Sequence, residues 1–181
     1  MPDVSVLSSE PIIEIDGVKY HHHLNGGGLV AETAEVAPTA YIGPFARVYG
    51  KAQVYDYARV CGNARVCGNA QVYDDALICD YAQVCDYTRV YGKAQVYDYA
   101  RVYGNARVYG DAQVCGNARV CDYAWVYGNA QVCGNALICG NALICGNAQV
   151  CDYARVYGNA RVYGNAQVYD DALICDYAQV C

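Results

Sequence analysis

The side chains best suited to acid–base chemistry are three consecutive histidines, His21, His22 and His23, which are the only histidines in the sequence. A general base has to titrate near the working pH and has to reach the proton that it removes. All three precede the repeats that make up most of the chain. We therefore interpret them as polar residues of an N-terminal lid, and we predict no catalytic residue elsewhere.

Twelve cysteines form the second group of reactive side chains. They all occupy one position of a repeat, where tyrosine alternates with them, and no Cys-x-x-Cys motif occurs. In a small secreted protein this number would indicate a disulfide scaffold. The position shared with tyrosine instead favours free thiols in a reducing cytoplasm, and it does not favour a metal site.

The element that positions these side chains is a six-residue repeat that runs without a break from Ala46 to Cys181. Its form is Ala-x-Val-Tyr/Cys-Gly/Asp-x, and only Thr88 interrupts the alanine row. The same frame extends back to Gly28. A fixed short period of this kind is typical of a solenoid. We predict a solenoid over residues 28–181, preceded by an N-terminal segment over residues 1–27.

Each hexad indicates a short strand followed by a turn. In Arg47-Val48-Tyr49, alternation along the strand sends Val48 to one side and both of its neighbours to the other. Because Val48 belongs to an uninterrupted aliphatic row, its side is predicted to be the core. The turns are mostly Gly-Asn or Asp-Tyr pairs, and Gly, Asn and Asp tolerate the left-handed backbone conformation that a tight bend needs.

Ahead of the repeats, the sequence indicates a β-hairpin. Two apolar runs, Ile12-Ile-Glu-Ile15 and Val18-Lys-Tyr20, are joined by Asp16-Gly17, a pair that suits a type I′ turn. The first coil of a solenoid exposes unpaired strand edges and a hydrophobic cross-section. We predict that the hairpin covers them, and that Asn25-Gly-Gly-Gly28 is a flexible lead into the first coil.

Hexads with an inward aliphatic residue, an alanine two places before it and Gly or Asn turns resemble the bacterial hexapeptide-repeat superfamily. The resemblance covers residues 28–181, and its near-identical runs are similar to low-diversity proteins of bacteria and phages that are often labelled transferases on the fold alone. It implies an all-β, left-handed parallel β-helix with three hexads per triangular coil. The tyrosine or cysteine after the aliphatic residue departs from that family, which prefers glycine, alanine or an acidic residue there.

Three hexads per coil place residues 18 apart above one another, so that outward positions form rows at a spacing of ~4.8 Å. Stacked tyrosines can form offset ring pairs, and stacked glutamines can bond amide to amide. These rows either stiffen the coil or offer a flat aromatic face to sugar rings or to another protein. The tyrosine row is Tyr55, Tyr73, Tyr91, Tyr109 and Tyr127; the glutamine row is Gln95, Gln113, Gln131, Gln149 and Gln167; a third row holds Arg47, Arg65, Gln83, Arg101 and Arg119.

The same spacing stacks cysteines and turn aspartates. Cys67 and Cys85 would have α-carbons ~4.8 Å apart, which a disulfide permits, but parallel side chains would strain the bond and favour reduced thiols. Asp56 and Asp74 would repel unless water, an arginine or a cation such as calcium lies between them. The other predicted cysteine stacks are Cys61 with Cys79, Cys121 with Cys139, and Cys115 with Cys133 and Cys151.

Charge and hydropathy limit the partners. The formal net charge is −6, and most of the excess acid lies in residues 1–45. No basic stretch along the chain would attract phosphates, so nucleic acid is not an expected partner. No apolar run reaches ~18 residues, so no transmembrane helix is expected. Met1-Pro-Asp-Val lacks the basic and apolar segments of a signal peptide, which predicts a cytoplasmic protein.

Three functions are open. The favoured one is a non-catalytic structural rod that self-associates, because the chain stops mid-hexad at Cys181 and Trp125, Leu137 and Leu143 form an exposed apolar group. The resemblance implies the second, a trimeric acyltransferase that uses a histidine as its base and acyl-coenzyme A as its cofactor. No other function expected here needs a cofactor. The family's carbonic anhydrases do not fit, because they need three zinc-bound histidines on the coils. The third is a carbohydrate-binding tail or adhesin that uses the tyrosine row.

Overall fold

A computed structural model describes residues 12–181. Residues 1–11, the first part of the predicted N-terminal segment, lie outside the described residues, and with them lie Asp3 and Glu10. The described chain consists of short strands joined by turns, and it contains no helix. Accordingly, none of its elements is a helix that could cross a membrane. The predicted all-β class is confirmed.

Most strands are two residues long and recur every six residues. In chain order they are β1 (Ile13–Ile15), β2 (Val18–His22), β3 (Leu29–Ala31), β4 (Glu35–Val36), β5 (Tyr41–Ile42), β6 (Arg47–Val48), β7 (Gln53–Val54), β8 (Arg59–Val60), β9 (Arg65–Val66), β10 (Gln71–Val72), β11 (Leu77–Ile78), β12 (Gln83–Val84), β13 (Arg89–Val90), β14 (Gln95–Val96), β15 (Arg101–Val102), β16 (Arg107–Val108), β17 (Gln113–Val114), β18 (Arg119–Val120), β19 (Trp125–Val126), β20 (Gln131–Val132), β21 (Leu137–Ile138), β22 (Leu143–Ile144), β23 (Gln149–Val150), β24 (Arg155–Val156), β25 (Arg161–Val162), β26 (Gln167–Val168), β27 (Leu173–Ile174) and β28 (Gln179–Val180).

Every third strand pairs in parallel, so the chain winds through three sheets in turn. Sheet 1 has the order β1-β2-β3-β6-β9-β12-β15-β18-β21-β24-β27, sheet 2 runs from β4 to β28, and sheet 3 runs from β5 to β26. In sheet 2, Val72 pairs with Val54 on one side and with Val90 on the other. One lap is therefore 18 residues, as predicted, and the strands build about eight laps of a parallel β-solenoid.

The core is a column of two side-chain rows. The valine or isoleucine of each strand and the alanine two places before it are buried in nearly every lap, and Val72 and Val90 are fully inaccessible. Burying a valine contributes roughly 1.5–3 kcal/mol. Backbone bonds join the laps, as where the Tyr73 N–H donates to the Val90 carbonyl oxygen at 3.1 Å. The inward direction predicted for the aliphatic row is confirmed.

The corners between sheets are left-handed turns made by Gly or Asp. The turn aspartates have φ between 56° and 64°, a region that costs other L-residues roughly 1–2 kcal/mol. The Oδ2 atom of Asp86 accepts the N–H of Gly104, one lap further on, at 3.0 Å. The same bond is accepted by the carboxylates of Asp56, Asp74, Asp80, Asp98, Asp122 and Asp152. The stacked acids are therefore compensated by backbone N–H groups, a partner that the sequence interpretation did not consider.

The predicted hairpin is present. Ile13 pairs with Tyr20 across an antiparallel ladder, and Asp16 and Gly17 both have positive φ, 51° and 76°, as a type I′ turn requires. The second hairpin strand pairs antiparallel with β3, so that His21 lies opposite Val30. The hairpin thus continues sheet 1 beyond its first parallel strand, and it covers the edge of that one sheet.

The glycine-rich segment before the first lap is a hydrogen-bonded turn, not the flexible lead that the sequence suggested. The Ile42 N–H donates to the Asn25 carbonyl oxygen at 3.0 Å, and the Gly28 N–H donates to the Ile42 carbonyl oxygen at 2.9 Å. A Cβ atom at Gly26 would overlap the same Ile42 carbonyl group. The glycines are needed for close packing, because this turn covers the edge of sheet 3.

Candidate functional site

Each sheet presents two rows of outward side chains, one before and one after the buried aliphatic row. On sheet 2 the second row holds the predicted tyrosines. The rings of Tyr73, Tyr91, Tyr109 and Tyr127 stack with centroids 4.8–4.9 Å apart and interplanar angles of 1–5°. We call these four residues the tyrosine ladder. Tyr55 occupies the next position in the row, but its hydroxyl donates to the Glu35 carboxylate at 2.7 Å.

Stacking determines which surface the tyrosine ladder offers. The faces of Tyr91 and Tyr109 are covered on both sides by neighbouring rings, because the centroids lie one lap apart. What the interior rings expose is therefore their edges and hydroxyl groups. Aromatic edges carry partial positive charge, and they favour edge-to-face contacts with other rings. The ladder is a strip of ring edges rather than an open aromatic plate.

Trp125 and Leu143 lie beside the tyrosine ladder on the same sheet. They are paired across β19 and β22, and Trp125 is 38 % exposed. The Trp125 ring contacts the Tyr109 ring edge to face, with 6.5 Å between the two centroids. The Arg107 guanidinium lies over the Trp125 ring, with its Cζ atom 4.8 Å from the ring centroid. Leu137, the third member of the predicted apolar group, lies on sheet 1. Sheet 2 thus combines aromatic, aliphatic and cationic groups on one face.

Three members of the tyrosine ladder, Tyr73, Tyr109 and Tyr127, have raised pKa values. A hydrogen bond with Cys145, together with burial, raises the pKa of Tyr127 to about 12. Burial raises the pKa of Tyr73 and of Tyr109, with the neighbouring Tyr91 as a further cause in both. These three tyrosines are therefore uncharged at neutral pH.

The predicted glutamine row runs along sheet 3, in the outward position of β14, β17, β20, β23 and β26. Within it, the Gln149 amide oxygen accepts a 2.5 Å bond from the Tyr169 hydroxyl. An amide-to-amide bond occurs on sheet 2 instead, where Gln71 donates to Gln53 at 2.7 Å and Gln53 donates to Glu35 at 3.1 Å. This polar chain lines a groove of about 530 Å³ near the N-terminal end of sheet 2.

The cysteines differ from the expectation of twelve free thiols. Three of the predicted stacks are disulfide-bonded: Cys67 with Cys85, Cys121 with Cys139, and Cys133 with Cys151. Their α-carbons are 4.6–4.8 Å apart, as the lap spacing dictates. The remaining six cysteines are free: Cys61, Cys79, Cys115, Cys145, Cys175 and Cys181.

The surroundings of two groups of cysteines decide their reactivity, one as a nucleophile and one as a metal site. Burial and the adjacent Cys61 raise the pKa of the Cys79 thiol to about 12, so the Cys79 thiol is protonated and poorly nucleophilic at neutral pH. Cys121, Asp122 and Cys139 are close enough to share a metal ion. The two sulfur atoms are bonded to each other and the Asp122 carboxylate accepts the Gly140 N–H. This trio therefore fits a metal ion poorly.

The three histidines lie at the start of the solenoid and do not converge. His21 and His22 are exposed at the end of β2, and the His22 ring bonds the Gly27 carbonyl oxygen through Nδ1 at 2.6 Å. His23 is buried, and its Nδ1 accepts the Asn25 N–H at 3.3 Å. These contacts hold the turn before the first lap, while a catalytic role for any of the three stays a prediction.

One aromatic pair was missed in the sequence. Tyr81 and Tyr99 stack at 5.0 Å between centroids on the corner that leads into sheet 1. Both follow an aspartate in the turn, and they are 18 residues apart. The lap spacing would have identified them, had the turn positions been aligned as the strand positions were.

Comparison with known proteins supports the fold. The family model described as the YdcK beta solenoid repeat matches residues 58–72, 100–112, 112–128 and 154–167. No curated protein matches the chain. The four matched segments all lie within the parallel laps of the three sheets. The repeat match and the stacked parallel laps together support the hexapeptide-repeat-like β-helix resemblance of the chain.

Proposed function

We propose that the chain is a non-catalytic structural rod that associates with copies of itself through sheet 2. The observation that carries this proposal is the face formed by the tyrosine ladder with Trp125, Leu143 and Arg107. Tyrosine, tryptophan and arginine are the residues enriched at the energetic centres of protein interfaces. They are placed here at regular lap spacing on one flat side of a solenoid.

The rest of the molecule suits a stiff rod. Successive laps bury the same two side-chain rows, and backbone bonds, turn carboxylates and stacked rings all link each lap to the next. In a solenoid each lap contacts only its neighbours, so stability grows with every added lap. Association through the C-terminal lap, the other route expected from the sequence, stays a prediction.

A solution experiment tests the sheet 2 proposal. Sedimentation velocity over a wide concentration range should show that the native chain forms larger species as its concentration rises. Replacing Trp125→Lys and Leu143→Lys together should leave a folded monomer, because two buried charges would oppose the contact. The matched control, Gln131→Lys with Gln149→Lys, adds the same charge to sheet 3 and should associate as the native chain does. A native chain that remains monomeric throughout would refute the proposal.

The two alternatives gain less support. The acyltransferase alternative, with acyl-coenzyme A as its cofactor, is still carried by the family resemblance, and fold does not determine function. For a carbohydrate site on the tyrosine row, the covered faces of Tyr91 and Tyr109 are unfavourable, because a sugar ring stacks on an aromatic face. Only the two ends of the ladder offer such a face.

A further inference from the structure

Sheet 1 collects five of the chain's arginines in one outward row. Arg47, Arg65, Arg101, Arg119 and Arg155 occupy the same position of β6, β9, β15, β18 and β24. They are 18 or 36 residues apart, so no basic stretch is visible along the sequence, and only the laps bring them together. From first to last they span six laps, or about 29 Å at the strand spacing.

Hollows flank this arginine row. Four of them, of about 220, 250, 230 and 380 Å³, succeed one another along sheet 1. Each is bordered by two successive arginines: Arg47 with Arg65, Arg65 with Arg101, Arg101 with Arg119, and Arg119 with Arg155. The first and third hollows lie on the side that follows the strands and the second and fourth on the side that precedes them, so the arginine row runs between hollows on alternate sides.

The turn aspartates on both sides of sheet 1 bond backbone N–H groups rather than the arginines, among them Asp80, Asp98 and Asp152 before its strands. Asp86 and Asp122, in the turns that follow sheet 1, accept the backbone N–H groups of Gly104 and Gly140 at 3.0 and 3.1 Å. Asp16 lines the first hollow only. Within residues 12–181 none of the five arginines forms an ion pair. An acidic protein thus carries one face of arginines that have no ion-pair partner in the part of the chain that the structure describes.

Neutral hydrogen-bonding groups lie between the arginines. Asn63 and Gln83 line the second hollow, and Asn117 and Asn135 line the fourth. Tyr153 in the fourth hollow is 59 % exposed. Amide groups donate and accept together, so they suit hydroxyl groups, while a guanidinium suits a carboxylate or a sulfate. The alternation of the two kinds of group matches a ligand that alternates hydroxyls with anions.

We propose that sheet 1 binds an acidic polysaccharide, with the sugar chain lying along the arginine row and its anionic groups on the arginines. A single-stranded nucleic acid fits less well, because its bases need open aromatic faces to stack on. Tyr81 and Tyr99, the aromatic pair of the second hollow, cover one another's faces.

Isothermal titration of the full chain tests this site with four probes: oligogalacturonate, a heparin oligosaccharide, neutral dextran and a 20-nucleotide oligothymidylate. At least one of the two acidic sugars should bind, with an affinity that falls as salt is added. Which of the two binds more tightly identifies the anion as carboxylate or sulfate. Dextran and oligothymidylate should bind at least tenfold more weakly.

Two variants with the same change in charge separate the site from general electrostatics. Arg65→Gln with Arg101→Gln and Arg119→Gln should lower the affinity for the acidic sugar tenfold or more. The control, Arg59→Gln with Arg89→Gln and Arg161→Gln on sheets 2 and 3, should lower it less than threefold, with circular dichroism confirming that both are folded. Equal losses in both variants, tighter binding of oligothymidylate or dextran, or binding of neither acidic sugar would overturn the proposal.

Discussion

Thr88 shows how strictly each hexad position is determined. It replaces alanine in the corner row, it is fully buried, and its Oγ1 has no hydrogen-bond partner. A buried hydroxyl without a partner costs roughly 1–3 kcal/mol. The alanine row therefore reflects the absence of polar partners at the corner as well as the shortage of space.

Replacing Thr88→Val, which keeps the shape and removes the hydroxyl, is expected to stabilise the protein by about 1 kcal/mol. For a chain of this size that corresponds to a rise of roughly 2–4 °C in the midpoint of thermal unfolding. Thr88→Ser keeps the hydroxyl and should give no increase. If the valine variant melts below the native chain, the hydroxyl has a partner or the corner cannot hold the second methyl group.

The tyrosine ladder predicts a pH dependence that is specific to one residue. Tyr127 has a pKa of about 12 in the folded chain, against about 10 in an unfolded one. The folded state binds the phenolic proton more tightly, so this contribution to stability is complete below pH ~10 and is lost as the pH rises through about 12. The native fold should weaken over that interval.

An alkaline absorbance titration can isolate Tyr127 by subtracting the curve of a Tyr127→Phe variant. The difference should show a phenol that ionises well above the usual range. Replacing Cys145→Ala removes the hydrogen bond that is the main cause of the raised pKa, and it should move the ionisation of Tyr127 towards lower pH. Ionisation of Tyr127 near pH 10 in the native chain would contradict the hydrogen bond between Tyr127 and Cys145.

At the scale of strands and turns, the cysteine rows predict how many free thiols the protein contains. Parallel pairing places equivalent cysteines 4.6–4.8 Å apart between α-carbons, and three pairs are bonded. In denaturant, without reduction, a thiol reagent should therefore detect six thiols, and after reduction it should detect all twelve. Twelve thiols before reduction would restore the free-thiol interpretation that the sequence favoured.

Strands, turns and core could be predicted because one local rule repeats. A hexad with an inward aliphatic residue such as Val48, and with a turn residue that tolerates positive φ, can adopt few backbone conformations. The pairing of Val72 with Val90 then follows from the length of one lap, which is 18 residues. Contacts that depend on one neighbour could not be predicted. Tyr55 leaves the ladder because Glu35 happens to lie within reach of its hydroxyl, and the Gly26 turn depends on the Ile42 carbonyl group.

For the whole molecule, stacking converts a nearly uniform sequence into faces of different chemistry. Sheet 2 carries the tyrosine ladder with Trp125, sheet 3 carries the glutamine row, and sheet 1 carries the arginine row. The rows could be predicted once 18 residues per lap was assumed. Their surroundings could not, because the covered ring faces and the hollows beside Arg101 arise only when side chains of neighbouring laps are placed together.

Whole hexads can be deleted without altering the hexads that remain. Such deletions change which outward side chains lie above one another, while the buried rows keep the same residue types. Deleting residues 92–109 removes one lap and leaves Tyr91 next to Tyr127 on sheet 2. Deleting residues 104–109 removes one hexad, so every later hexad moves back to the preceding sheet, and Cys115 of sheet 3 follows Tyr91 on sheet 2. Both proteins should fold, since all hexads bury the same kinds of residue.

Sedimentation velocity of the native chain and these two deletions is the most direct test of the central claim, that stacked laps build a sheet 2 face through which rods associate. The native chain and the 18-residue deletion should both form larger species as concentration rises, while the six-residue deletion should remain a folded monomer. Association of the six-residue deletion as strong as that of the native chain would contradict the claim.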